Sequence, residues 1–246
     1  MKIYTQFDPQ FPLLPADSEL TDWQICVKNA VKEVDGRAMR YKRGPWGGST
    51  EDIYWGGKRI LRKGEGSYCV GCTYEIFLMA LREFAGEPID YDGELLETLS
   101  VKEAWEIGRA FYFAYGGTEI DGMKTDEWGA MGLFKWMANR PERFGWLNPQ
   151  TSFNPREIQF GDAISMQYSP DVSDGHSVLA VGLDSYGGND VVNVYGSTTY
   201  YDKKWMKTKG VENKYSTGNG FDYYRLDVTK RGYQRKFFVS RFAPDN

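Results

Sequence analysis

Residues 66–81 read GSYCVGCTYEIFLMAL, and the reading of this stretch decides the fold. From Cys69 to Phe84 apolar side chains fall on nearly every face of a helix, through Ile76, Phe77, Leu78, Met79, Ala80 and Leu81. A helix with no polar side has no side to give to water, so the stretch predicts a buried central helix. Ala85-Gly86 ends it and Pro88 follows. Two cysteines three apart, Cys69 and Cys72, open this helix, while Cys26 stands alone far upstream. They are a redox pair, half a metal site, core residues, or a nucleophile and its neighbour.

Upstream, DSELTDWQICVKNAVKEVDG (17–36) carries Trp23, Val27, Ala30, Val31 and Val34 near helical spacing, with Gly36 as a stop. The segment between the two helices, 41–67, is rich in glycine and aromatic residues and reads as a functional loop or a surface linker. Downstream, Ser100 and Glu103 form a capping-box pattern at the head of a third helix over 99–117. A fourth is expected over 124–140, capped by Thr125 or Asp126. Past Pro149 to Pro155 the texture changes to short β-rich segments, 156–160, 162–168, 176–183, 190–196, 221–228 and 235–242. Gly187-Gly188 and Gly218 to Gly220 mark turns between them. The pattern predicts one α+β domain over 1–246, with N-terminal helices, the buried central helix packed on a C-terminal antiparallel sheet, and a helical insert at about 86–150.

Composition narrows the function. The chain has 246 residues and a net charge of only −4, with no basic stripe for nucleic acid and no polybasic patch for a membrane surface. No apolar run is long enough to span a bilayer. The N-terminus has Lys2 but no apolar signal region, so the expectation is a cytoplasmic protein, or one exported with its leader removed or by a leaderless route. Three cysteines, an odd number, exclude a disulfide framework. A zinc site needs four ligands, and beyond Cys69 and Cys72 there is one cysteine and one histidine, neither with a partner at ligand spacing. A thioredoxin-like pair wants a strand before it and helix–strand alternation after it, and the pattern here differs. No metal or other cofactor is expected. The aromatic content of 16% suits a groove for a peptide or polar polymer as well as it suits a core.

The start of a helix is where a thiol becomes useful. Unpaired N–H groups and the positive end of the macrodipole favour thiolate, and the same groups can hold an oxyanion. A cysteine nucleophile also needs a base, and the chain has one histidine, His176, opening a strand after Gly175.

The segment FGDAISMQYSPDVSDGHSVLAVGLD (160–184) resembles the Gly-Asp, strand, loop, Gly-His, strand pattern of the NlpC-type cell-wall peptidases, the bacterial branch of the papain-like cysteine hydrolases. IYWGG (53–57) and YCVGC (68–72) resemble their Tyr-x-Trp-Gly-Gly stretch and their Asp-Cys-Ser-Gly nucleophile motif. The His strand followed by VVNVYG is similar to the His strand and Asn-Ser-Trp-Gly strand of the wider superfamily. The resemblance implies a papain-like fold, His176 as general base and Asn193 as the group that orients its ring, with Ser197 and Tyr195 as second choices. Asp184 lies too far along the strand of His176 for that role. Tyr54 matches the family's active-site tyrosine, or is a wall or core aromatic. Two alignments compete for the nucleophile: the NlpC-type one selects Cys69, the papain one Cys72. Gly71, two after Cys69, and the lack of a glutamine six before Cys72 favour Cys69, although Val70 and Tyr68 depart from the motif. The activity so implied is a cysteine peptidase or amidase acting on peptide or amide bonds of peptidoglycan stem peptides. An acyltransferase of transglutaminase type on the same fold, or a non-catalytic binding module, would share these residues.

Overall fold

In a computed structural model of the chain, the residues described are 4–10, 13–37, 39–42, 47–55, 58–61, 63–67, 69–85, 119–120, 123–124, 145–150, 154–167, 175–186, 188–197, 212–216, 221–226, 228–229 and 236–241. They form an α+β protein. Helix α1 (Asp22–Gly36) starts at Thr21, whose side chain accepts from the backbone N–H of Gln24 while the Gln24 side chain accepts from that of Thr21. This reciprocal cap satisfies two of the helix's orphan donors. Four short strands follow where a loop was expected: β1 (Gly47–Gly48), β2 (Ile53–Trp55), β3 (Lys58–Leu61) and β4 (Gly66–Ser67). Strands β2 and β3 form a hairpin, and β1 runs parallel to β4. Helix α2 (Cys69–Ala85) comes next. Its Cys72, Tyr74, Ile76, Leu78, Ala80 and Leu81 are fully buried, as a helix apolar on nearly every face requires.

The expected helix over 99–117 lies outside the described residues, as does that over 124–140 except for Lys124, which is in a strand. Within 86–150 the described pieces are strands: β5 (Glu119–Ile120) paired with β6 (Met123–Lys124), and β7 (Gly145–Gln150). Segment 156–160, expected as a strand, begins instead within a short 3-10 turn (Pro155–Glu157), because Asn154 caps the N–H of Arg156 and Pro155 presets the turn. The rest of the sheet is β8 (Ala163–Gln167), β9 (Gly175–Tyr186), β10 (Asn189–Ser197), β11 (Glu212–Ser216), β12 (Phe221–Leu226) and β13 (Lys236–Arg241). Seven strands lie in the order β11-β12-β10-β9-β8-β13-β7, every neighbouring pair antiparallel.

Helix α2 lies between α1 and the central strands β9 and β10. Trp23 on α1 meets Phe77 and Phe84 of α2 edge-on, at ring-centroid distances of 6.0 and 5.9 Å. The Gly-Asp pair of the quoted motif is structural. Gly161 has φ of +89°, a left-handed turn into β8 that favours glycine, and Asp162 takes both arms of Arg241 at 2.8 and 2.7 Å.

Candidate functional site

Cys69 is the first residue of α2 and is buried. The chain reaches it through a fixed corridor. The N–H of Ser67 donates to the carbonyl of Arg40 at 2.9 Å, and the N–H of Lys42 donates to that of Ser67 at 2.7 Å. Only glycine fits at position 66, since a Cβ there would stand 2.5 Å from the Arg40 carbonyl oxygen. Cys72, one turn further in, is sealed from solvent. Burial pushes its thiol well above the ordinary range and the Glu75 carboxylate adds to this, against the Ser197 backbone N–H that donates to Sγ. Such a thiol stays protonated, which is the behaviour of a core residue.

The sheet meets the first turn of α2 through hydroxyls. Ser177 Oγ donates to Thr73 Oγ1 at 3.3 Å, and Thr73 Oγ1 donates to the carbonyl of Cys69 at 3.0 Å. His176 is the residue next to Ser177, so the structure brings its backbone to the turn that carries Cys69. The ring itself is half-buried and stacks on Tyr224, with centroids 6.4 Å apart and planes 23° apart. Side chains alternate along a strand, and Ser177 faces α2. Tyr195 lies on that face too, close to Cys72 and with its ring centroid 4.8 Å from that of Tyr223. His176 and Tyr224 therefore belong to the opposite face, with the imidazole at the rim where β9 begins.

Asn193 is not brought to His176. It pairs with Gly182, six positions along β9 from His176 and so about 20 Å away at roughly 3.3 Å per residue. The reason is the hairpin. Antiparallel partners lie equidistant from the turn, and Asn193 follows the turn at Gly188 closely while His176 precedes it by most of a long strand. Ser197 ends β10 two residues beyond the Tyr195–Leu179 pair, as Ser177 lies on β9, and so shares the α2 face with Ser177 and not the face of the imidazole. Its buried Oγ has no hydrogen-bond partner among the described residues. Asp184, at the turn end of β9, is held by Arg225 at 2.9 Å. Tyr54 lies on β2, paired with Arg59.

The sequence reading missed the charged group nearest the cysteines. Glu75 is fully buried one turn after Cys72. Its carboxylate accepts from the Thr50 N–H at 2.8 Å, the Thr50 hydroxyl and Arg37 Nη1 at 3.1 Å. Burial raises its carboxyl to about 7, the Thr50 bonds and Arg37 oppose the rise, and Glu51 adds to it. Glutamate beside the unbroken apolar run 76–81 was the available signal. Among the described residues no three His, Cys, Asp or Glu side chains gather as metal ligands, and no helix is long and apolar enough to cross a membrane.

The elements define an α+β protein with one buried helix docked on a seven-stranded antiparallel sheet. No family model matches the chain, and neither a curated protein nor a solved structure matches it significantly.

Proposed function

We propose that the chain is a cysteine hydrolase of papain-like architecture that opens peptide or amide bonds through an acyl-thioester on Cys69. The thiol proton passes to His176, whose ring turns away from Tyr224 around the rim where β9 begins to take it, and Sγ adds to the carbonyl carbon, with the oxyanion facing the N–H groups at the head of α2. The C–N bond breaks as His176 returns the proton to the leaving amine. Water then gives a proton to His176, adds to the thioester and releases the acid, and Cys69 regains its proton. The substrate class taken from the motif resemblance is the peptidoglycan stem peptide.

The observation that carries this reading is the 3.3 Å bond from Ser177 to Thr73, which joins the residue after the only histidine to the first turn of the helix that starts at Cys69. The burial of Cys72 adds the choice of sulfur. A second reading, a non-catalytic module with core thiols, is favoured by the alternation that turns His176 toward Tyr224. Iodoacetamide labelling near neutral pH separates the two. The hydrolase predicts one fast cysteine, Cys69, slowed at least tenfold by His176→Ala. The module predicts slow labelling of Cys26, Cys69 and Cys72 alike, with no response to His176→Ala. Incubation with muropeptides, with and without an added amine acceptor, then reads hydrolysis against acyl transfer by the mass of the products.

A further inference from the structure

Two polar links join α2 to the sheet at the same level. The hydroxyl of Ser177 on β9 reaches Thr73, and the backbone N–H of Ser197 on β10 reaches the sulfur of Cys72. Cys72 and Thr73 are consecutive, and Ser177 and Ser197 are level neighbours on adjacent strands. Around these links α2 and the sheet share one apolar core, with Ile76 and Ala80 on the helix and Val178, Val181 and Val194 on the strands, and apolar surfaces slide at little cost because dispersion has no preferred direction. A hydrogen bond does have one.

The hydroxyl chain has a single consistent direction. The carbonyl of Cys69 can only accept, so Thr73 donates to it, and Ser177 must then donate to Thr73. Ser177 and Thr73 are both buried, so no water replaces either bond if one hydroxyl is lost. A threonine bonded back onto its own helix is normally a mild liability. Here that bond leaves an oxygen lone pair aimed at the sheet and couples Ser177 to the backbone of Cys69 itself.

Resting on the hydrolase reading above, we infer that Thr73 and Ser177 are positioning residues, a buried hydroxyl rivet that sets the distance between His176 and Cys69. Neither touches substrate. Each acts through its neighbour, Ser177 through the adjoining His176 and Thr73 through the carbonyl of Cys69.

The test uses the full chain and the rate of Cys69 alkylation by iodoacetamide from pH 5 to 9, located by peptide mass. Ser177→Ala and Thr73→Val are each expected to lower the rate at pH 7 by about three- to tenfold, the worth of one buried hydrogen bond. They also move the midpoint of the pH profile. The double variant is no slower than the worse single one, because both remove the same link. Thr73→Ser keeps the oxygen and restores the wild-type profile, which a loss of packing alone would not explain. If Thr73→Val fails to fold, Ser177→Ala, which removes a single oxygen, decides the matter. A profile unchanged in both variants, in a protein whose labelling still depends on His176, overturns the rivet and leaves the hydrolase standing. Labelling indifferent to His176→Ala overturns the hydrolase, and the rivet with it.

Discussion

Two clusters of charge are built on α1, and they answer burial in opposite ways. At its middle, Lys28 is almost wholly enclosed and donates to Asp8 at 2.9 Å, Asp17 at 2.6 Å and the carbonyl of Pro15 at 2.9 Å, while Lys32 reaches Asp8 at 3.1 Å. Just past its end, Arg37 is divided among Glu33, Glu51 at 3.1 Å and Glu75 at 3.1 Å. The first buried carboxylate has two cations, whereas the second shares one cation with two other carboxylates. Burial alone would raise Asp8, but Lys28, the Gln10 N–H and Lys32 outweigh it and hold the carboxyl far below its ordinary range. At Glu75 burial prevails and the carboxyl titrates at about 7. The balance between burial and the cations facing each carboxylate decides the sign.

The largest expected effect comes from breaking the first cluster. Lys28→Met keeps the length and apolar stem of the side chain but takes from Asp8 the more buried of the two lysines that reach it, leaving Lys32 and the Gln10 N–H, and takes from the Pro15 carbonyl its Lys28 donor. Removing one partner of a buried pair costs about 3–5 kcal/mol when the other is left bare, and Lys32 and the Gln10 N–H keep the cost here toward the lower end, about 3 kcal/mol. Urea unfolding at pH 7 is expected to show a loss of that size, and a loss under about 1 kcal/mol would mean that Lys28 does not anchor the N-terminal segment.

The second cluster supplies the sharper contrast, through pH. A carboxyl raised from 4.5 to about 7 on folding binds its proton more tightly in the folded state, so its contribution falls as pH rises through that window. The size is about 3 kcal/mol at 1.36 kcal/mol per unit. Asp8, depressed from 3.8, contributes stability above 3.8 that is lost as pH falls below it, so the two windows do not overlap. Glu75→Gln removes the titration and keeps the shape. The stability of the wild type relative to this variant should decline by about 3 kcal/mol between pH 4.5 and 7 and stay level on either side. A flat difference across the window would show that Arg37 and the Thr50 bonds fully offset burial.

These two clusters also mark how far the sequence could be read. Helix α2 was legible because an unbroken apolar run leaves no solvent face, and α1 because Trp23, Val27, Ala30, Val31 and Val34 keep helical spacing. Strands β8, β9, β10, β12 and β13 were legible from β-rich runs between turns. Long-range pairing was not. That Lys28 meets Asp8, that Glu75 meets Thr50 and Arg37, and that Ser177 meets Thr73 depend on tertiary packing that no local pattern encodes. The four short strands between the helices were missed because paired runs of two to four residues leave almost no periodicity to detect. At the candidate site, the placement of Cys69 at the head of α2 followed from where the apolar run begins. Asn193, expected beside His176 from a motif resemblance, is not brought there, because the hairpin pairs it with Gly182 and a motif match carries no register.

Asn193 completes the comparison as the neutral case, with the smallest expected effect. Its Oδ1 is buried with no hydrogen-bond partner among the described residues, so the native state already bears the cost of an unmet acceptor. Asn193→Ala removes that cost and loses some packing against Gly182, and the two changes oppose each other. The net change in unfolding free energy should stay within about 1 kcal/mol. Having no charge, it should also be the same at pH 4.5 and pH 7, where the Glu75 contribution is not. The same variant tests the site. With Gly182 as its partner and His176 about 20 Å off, Asn193 has no means of turning the imidazole, and the rate and pH midpoint of Cys69 alkylation should match the wild type. A tenfold slowing in a variant that melts normally would place Asn193 back beside the ring and require β9 and β10 to pair in a different register.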